Sequence, residues 1–440
     1  MTATATAGNE TRTQGATVLY VTYDGILEPL GQSQVFQYLR ELARSHRVHL
    51  LSYEKAADWN DVPKRERIAH ELREAGISWT PLRYHKRPSA LATAYDLAVG
   101  IGVGTFITLR RNVDLVHARS YVPSVIALAV KRLTGRKFLF DMRGFWADER
   151  VDGGIWPEGS GLFRTAKWFE KRFLESADAI VSLTEAGVEA LPDLPFPKER
   201  LEGKRIAVIP TCANLQLFRP TPRSTPWSTP SPSPEQDERQ QALRAERPFT
   251  LAYVGSVGTW YLFDPVLESF RQLLALEPNA RLLIVNRGEH AFIRERIAAL
   301  GLPPEKIELR ELAHRDVASR LSQVDAGVFF IKQTFSKKAS APTKLGELLG
   351  CGVPVLVNAG VGDMDRIVSQ NRVGVVVPET SSPAALREAV LQLVELARDP
   401  RTRDRCVQTA QRHFSLESGV RAYDALWREL RRARAARDAA

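Results

Sequence analysis

Short apolar runs alternate along this chain with longer segments whose apolar positions recur every three or four residues. Thr17 to Thr22, Val48 to Ser52, Val113 to His117, Lys137 to Asp141, Ala179 to Leu183 and Ile206 to Pro210 read as strands. Gln34 to Ser45, Asp61 to Ala75, Tyr121 to Leu133 and Phe163 to Ala177 carry helical periodicity; Val35, Leu39 and Leu42 mark one face of the first. Strand and helix in regular alternation predict a parallel sheet covered on both faces. From about Arg219 to Pro248 the pattern lapses into a Pro/Ser/Thr-rich stretch with almost no core residue, which reads as a linker or insertion. The alternation then restarts. Phe249 to Val254, Arg281 to Val285, Ile307 to Leu309, Ala326 to Ile331, Val353 to Asn358 and Val373 to Val377 are the second set of strands. Helices are expected up to Leu276, from Glu289 to Leu300 and from Arg315 to Val324. The expected organisation is a disordered tail at 1–15, an α/β domain at 16–215, a linker at 216–247, a second α/β domain at 248–400, and C-terminal helices at 401–440 placed to pack back on the first domain.

A chain of 440 residues suits two cores of this kind. Its charge is 61 minus 51, or +10, spread along the sequence. That balance favours anionic partners such as phosphorylated ligands or lipid headgroups. No basic, aromatic-studded strand face or recognition helix accompanies it, so nucleic acid is not an expected partner. Cys212, Cys351 and Cys406 are widely spaced and form no CxxC pair, which points to a reducing, cytoplasmic setting without a disulfide framework. The Thr-rich start lacks the apolar stretch of a signal peptide. Leu97 to Leu109, interrupted by Gly100, Gly102 and Gly104, reads as too short to span a bilayer. Leu162 to Leu174 mixes aromatic residues with Lys167, Lys171 and Arg172, and Arg428 to Arg437 is strongly basic. Both suit peripheral contact with an anionic surface, such as the inner face of the plasma membrane. The first reads equally as a core-facing helix with solvated charges.

The densest chemistry lies in Ser336 to Asn358, SKKASAPTKLGELLGCGVPVLVN. Ser340 is placed as an N-cap, Pro342 suits a first turn, and Thr343 to Leu349 form a short helix closed by Gly350. A helix N-terminus offers free N–H groups and a positive dipole end, which together bind anions. Lys337, Lys338 and Lys344 add positive charge there, and Glu347, one turn on, is placed to accept from ribose hydroxyls. Gly255 to Tyr261 (GSVGTWY) follows a strand, and Gly255 and Gly258 let backbone approach a phosphate closely. Arg287 follows RLLIV at the same edge. The plain alternatives are a capped surface helix, an ordinary turn and a solvated arginine. In the first half, His117, Arg119, Asp141, Arg143 and Asp148 lie at or after strand ends. Arg143 suits a bidentate phosphate clamp. Asp141 or Asp148 suits acceptance of a proton from an attacking hydroxyl. Asp141 and Arg143 read alternatively as a structural ion pair, and His117 as a satisfied core histidine.

Taken together and in this order, these segments resemble a known family. GSVGTWY, the 336–358 segment and GVGDMDRIV resemble the donor domain of glycosyltransferase family 4. TYDGILEPLGQSQV, VDLVHARS, FDMRGFWADE, AIVSLTE and VIPTCANLQLF resemble acceptor-domain landmarks of a bacterial branch of it. The resemblance implies an α/β GT-B fold, with two Rossmann-like domains whose parallel sheets face each other across a cleft. It implies transfer of a sugar, with retention, from a nucleoside diphosphate sugar to a glycan or lipid-linked acceptor in surface polysaccharide or glycoconjugate synthesis, with no metal and no cofactor. Carried over by position, Glu347 holds the ribose. Thr343, Lys344, Lys338 and Arg287, with Ser340 at the helix start, hold the diphosphate. Ser256 and Gly258, with Gly255 beside them, touch phosphate or acceptor; Asp141, Arg143 and His117, read from their places at strand ends, are the catalytic candidates. Ala339 stands where the family pattern has a glutamate, so the donor sugar is expected to be held differently. The rival readings are a GT-B-fold sugar-nucleotide epimerase, which would want more carboxylates than these Arg/Lys-heavy loops provide, and a non-enzymatic sugar-nucleotide-binding protein.

Overall fold

The computed structural model describes residues 15–85, 89–195, 201–221 and 247–439. The expected tail at 1–15 and linker at 216–247 therefore fall largely outside the described residues. The chain divides into two compact units. One comprises Met1–Thr211, Lys338–Ser340 and Leu416–Ala440; the other comprises Cys212–Lys337 and Ala341–Ser415.

The first unit is built on a parallel sheet of seven strands: β1 Thr17–Thr22, β2 Arg47–Glu54, β3 Ser78–Arg83, β4 Leu115–Arg119, β5 Lys137–Asp141, β6 Ala179–Ser182 and β7 Arg205–Val208. Their spatial order is β3-β2-β1-β4-β5-β6-β7. Every residue of β1 and β4 is buried, as expected of strands covered on both faces. The sequence pattern missed β3 because Pro81 interrupts it; at a sheet edge a missing N–H is tolerated. Helix Ser89–Arg110 runs unbroken for 22 residues through Gly100, Gly102 and Gly104, longer than the run read from the sequence. Gly100 permits a close approach, since a Cβ there would fall 2.1 Å from the Tyr53 hydroxyl and 2.6 Å from Ile126.

Helix Leu416–Ala439 belongs to this unit and packs on β4, β5 and helix Gln37–Leu42. Much of its basic character is used internally. Arg434 donates to Asp114 at 2.6 Å and to the Val113 carbonyl at 3.0 Å, and Arg428 pairs with Asp424. Helix Gly161–Ser176 likewise buries Ala166, Phe173 and Leu174, and Lys167 turns inward to Asp148 at 2.8 Å. One face of that segment is thus core-facing, while Leu162 and Trp168 stand exposed on the other.

The second unit holds a six-stranded parallel sheet: β8 Thr250–Val254, β9 Arg281–Val285, β10 Ile307–Arg310, β11 Ala326–Val328, β12 Val355–Asn358 and β13 Gly374–Val377, in the order β10-β9-β8-β11-β12-β13. Helices Phe263–Leu276 and Pro383–Arg398 pack against each other and supply Phe270, Leu273, Leu386 and Leu393 to its core. In each sheet the strand order reverses once, between β1 and β4 and between β8 and β11. Ligands of open α/β sheets bind beyond the carboxyl ends of strands at such a switch.

Candidate functional site

In the second unit, the loops leaving β8 and β11 flank the switch point. The chain turns at Gly255 (φ 127°), Gly258 (φ 79°) and Thr259 (φ 42°). A Cβ at 255 would also lie 2.6 Å from Lys344 Nζ, so the tip of that lysine would have to shift. The loop is held from below. The Tyr253 hydroxyl donates to the Ser256 carbonyl at 2.5 Å, and Asn286 Nδ2 donates to the Gly255 carbonyl at 3.0 Å. Asn286 also donates to Glu289, whose carboxylate accepts the Val257 N–H at 3.0 Å. Leu262 N–H bonds the Phe330 carbonyl, which ties this loop to the one after β11.

Helix Thr343–Gly350 starts beside it. The helix is preceded by Pro342, and no side chain caps it. This corrects the expectation for Ser340, which lies three residues before the first helical residue and, with Lys338, belongs to the first unit. There the Lys338 ammonium lies 3.7 Å from Asp193, and its carbonyl accepts from Thr184. Gly350 also proves to be helical, and the left-handed residue beyond the helix is Gly352.

Lys344 is the unusual group here. It is buried, and its Nζ has no hydrogen-bond partner among the described residues. The ammonium instead sits 3.8 Å from the centre of the Tyr261 ring, with Tyr253 and Phe329 at 5.3 and 5.4 Å. Burial lowers its pKa to about 7, against the opposing pull of Glu347. Ring faces recover part of that desolvation cost but satisfy none of the three N–H donors. Lys337 is covered similarly by Trp260, at 3.8 Å. Thr343 and Glu347 are half-buried, and Ser256 is exposed at the loop tip. Arg287 is exposed and 3.4 Å from Glu311, while its neighbour Asn286 is buried beneath the glycine loop. The structure thus gathers Gly255, Tyr261 and Lys344. Asn286, Glu289 and Tyr261 were missed; a polar residue closing the apolar run RLLIV was the available signal.

In the first unit, the ends of β1, β4 and β5 enclose a buried polar cluster. Asp141 Oδ2 accepts from the Tyr423 hydroxyl at 3.0 Å and lies 3.5 Å from His117 Nε2. Trp427 Nε1 donates to His117 Nδ1 at 3.2 Å. That bond assigns the proton to Nε2 and leaves His117 neutral; burial lowers its pKa, though Asp141 pulls the other way. Burial alone would raise the Asp141 carboxyl, but Arg143, His117 and Arg119 hold it below its ordinary value. Asp141 Oδ1 accepts no hydrogen bond, and Arg143 stands 3.9 Å away, too far to donate. Arg143 itself occupies the left-handed region at φ 57°, a strain met at functional positions. The two buried charges thus form an ion pair without a hydrogen bond between them. Asp148, the other carboxylate candidate, is occupied by Lys167. Tyr423 and Trp427 were missed, although their i, i+4 spacing on an Arg-rich helix was the clue.

A cavity of about 770 Å³ elsewhere in the second unit runs along β10 and the starts of β8 and β9. Of its four arginines, Arg310 and Arg320 share the single carboxylate of Glu308 and Arg247 pairs with Asp325. It lies away from the switch point and offers less chemistry than Lys344.

Two parallel α/β sheets of this order define a GT-B architecture. Residues 31–210 match the family model of the glycosyl transferase 4-like domain, and residues 234–413 match that of glycosyl transferases group 1. The chain is a glycosyltransferase, with both domains in one polypeptide. Its fold is similar to that of a glycosyltransferase from Rickettsia africae (17% identity, 94% of this chain and 98% of that one, TM-score 0.65). It is also similar to sucrose-phosphate synthase from Thermosynechococcus elongatus (16%, 95% and 100%, TM-score 0.66). A third similar structure is HepE from Anabaena, solved in complex with UDP (13%, 93% and 99%, TM-score 0.62). No curated protein matches the chain by sequence.

Proposed function

We propose that this enzyme moves a sugar from a nucleoside diphosphate sugar to a glycan or lipid-linked acceptor, with retention, in the synthesis of a surface polysaccharide or glycoconjugate. One observation carries the reading: a buried ammonium, Lys344, has no hydrogen-bond partner beside an uncapped helix N-terminus and a glycine loop. A diphosphate supplies the anion that such a charge lacks, and the same charge stabilises it as the leaving group. Thr343 and the first N–H groups of the helix then complete the diphosphate site, with Ser256 and Gly258 across the loop. Glu347, one turn along, accepts from the ribose hydroxyls. HepE's complex with UDP supports a nucleoside diphosphate as the ligand. On the acceptor side, Arg143 and the buried, unpartnered Oδ1 of Asp141 are the candidate groups. Tyr423 and His117 position Asp141, and His117 is read as an orienting group because both its nitrogens are engaged. The unpaired, buried cysteines suit a cytoplasmic enzyme.

The test is a thermal-shift screen with UDP, GDP, CMP and dTDP on the wild type and Glu347→Ala. A nucleotide at 100 times its Kd stabilises the fold by about 2.7 kcal/mol. One nucleotide should raise the wild-type melting temperature and leave the variant unmoved. If none shifts the wild type, the donor-site assignment is wrong. The anomeric coupling constant of the product in proton NMR then distinguishes retention from inversion.

A further inference from the structure

Helix Ser89–Arg110 lies on the first unit with its inner face against β1 and helix Tyr121–Thr134; Gly104 sits beside Ile126, Val130 and Leu19. Among the described residues it is the one helix long and apolar enough to cross a membrane by length and composition, with a mean hydropathy of 1.4 over Leu91–Arg110. Only 28% of that window is buried, so it is not a core helix. Its one acidic residue, Asp96, points inward and accepts from Tyr23 at 2.8 Å.

The outward face is apolar from end to end. Leu91, Tyr95, Phe106 and Leu109 are 71%, 60%, 67% and 62% exposed, and Ala94, Ala98 and Gly102 fill the positions between them. Leu133, 66% exposed, extends the surface at the end of the adjacent helix. Arg110, Arg111 and Arg132 are exposed at the same end. A soluble monomer rarely presents so continuous an apolar stripe. A protein partner would be expected to find hydrogen-bonding groups on it, about one per 100–200 Å²; apart from the Tyr95 hydroxyl, the outward residues named here have none. Apolar side chains ending in arginines suit an anionic lipid interface, where the stripe enters the acyl boundary and the guanidinium groups meet headgroup phosphates.

We infer that the outward face of helix Ser89–Arg110 docks this enzyme on an anionic lipid bilayer, lying along the interface rather than crossing it. Its packing against the sheet and the neighbouring helix holds it to the unit along its length. The inference is independent of how the donor site is filled.

The experiment uses the full chain with vesicles of phosphatidylcholine alone or with 30% phosphatidylglycerol. The wild type should co-sediment with the anionic vesicles and far less with the neutral ones. Phe106→Asp/Leu109→Asp should lower the partition coefficient at least tenfold, and Arg110→Glu/Arg111→Glu should remove the preference for phosphatidylglycerol. Circular dichroism melts check that both variants remain folded. A second readout does not depend on these substitutions. All three native cysteines are buried, and a Cβ at Gly102 meets no atom within 4 Å. Gly102→Cys labelled with an environment-sensitive dye should therefore blue-shift on anionic vesicles, while a label at exposed Ala299→Cys should not. Unchanged sedimentation of the aspartate variant, or a silent Gly102 label, overturns the inference. So does a lipid-free dimer that the aspartate variant disperses, since the stripe would then be a self-association surface.

Discussion

Replacing Lys344 by methionine separates stability from nucleotide binding. Methionine keeps most of the length and removes the charge. Moving the ammonium from 10.5 to about 7 corresponds to about 5 kcal/mol at ~1.36 kcal/mol per pH unit. Below pH 7, folded and unfolded chains both carry the proton, and the fold bears this cost in full. Between pH 7 and 10.5 the folded chain has released a proton that the unfolded chain keeps, so stability rises with pH; above 10.5 the cost is gone. Lys344→Met should therefore stabilise the free protein, by several kcal/mol at pH 6 and little at pH 10. Binding should move the opposite way. A diphosphate restores the proton, and its own phosphates are already ionised above a second pKa of about 6. About half the lysines are charged at pH 7 and about one in a hundred at pH 9, so the wild-type Kd should rise about fifty-fold between them. Calorimetry in two buffers of different ionisation heat should show uptake of about half a proton at pH 7, approaching one at pH 9. The variant should bind at least tenfold more weakly at pH 7, with no pH dependence. A wild-type Kd that stays flat from pH 7 to 9, or a methionine variant that binds as tightly, refutes the reasoning.

Three further outcomes are expected. Gly255→Ala forces a left-handed alanine at φ 127° and a Cβ 2.6 Å from Lys344 Nζ; it should cost about 1–3 kcal/mol, read by denaturant titration, together with nucleotide affinity, read by calorimetry. Trp427→Phe removes the donor to His117 Nδ1 and should cost about 1–3 kcal/mol; an unchanged melting temperature would mean that the bond does not order the histidine. Asp141→Asn leaves Arg143 without its counter-charge and should cost about 3–5 kcal/mol at pH 7. Because the folded pKa of Asp141 is depressed, its contribution is present above the unfolded value of 3.8 and is lost as pH falls through the lower folded value. Wild type and variant should therefore converge in acid melts, and a gap that persists in strong acid would show that the charge is not the cause.

Much of the architecture was legible in order of appearance, because strands buried on both faces are written as unbroken apolar runs such as TVLYVT, RLLIV and VPVLVN. The helix at 343–350 and the glycine loop at 255–261 were legible for the same local reason: proline and glycine restrict or free the backbone wherever they stand. Other features required the fold. β3 was not read at all; it carries Pro81, which its edge position tolerates because no N–H is needed there. Gly100, Gly102 and Gly104 interrupted the apolar run at 97–109, yet the helix continues through them: close packing on Tyr53 and Ile126 uses the first and open space accepts the second. Ser340 looked like a cap, yet the chain carries it into the other unit. Above all, the sequence makes Lys344 one cation among 61 lysines and arginines. Only tertiary packing around Tyr253, Tyr261 and Phe329 strips it of water and brings it to Gly255. In the same way, only the return of the last helix sets Tyr423 and Trp427 on Asp141 and His117. Local pattern specifies which elements form, because their hydrogen bonds and apolar faces lie close along the chain. Desolvation and pairing of a charge depend on residues from tens to hundreds of positions apart, and those meet only in the folded protein.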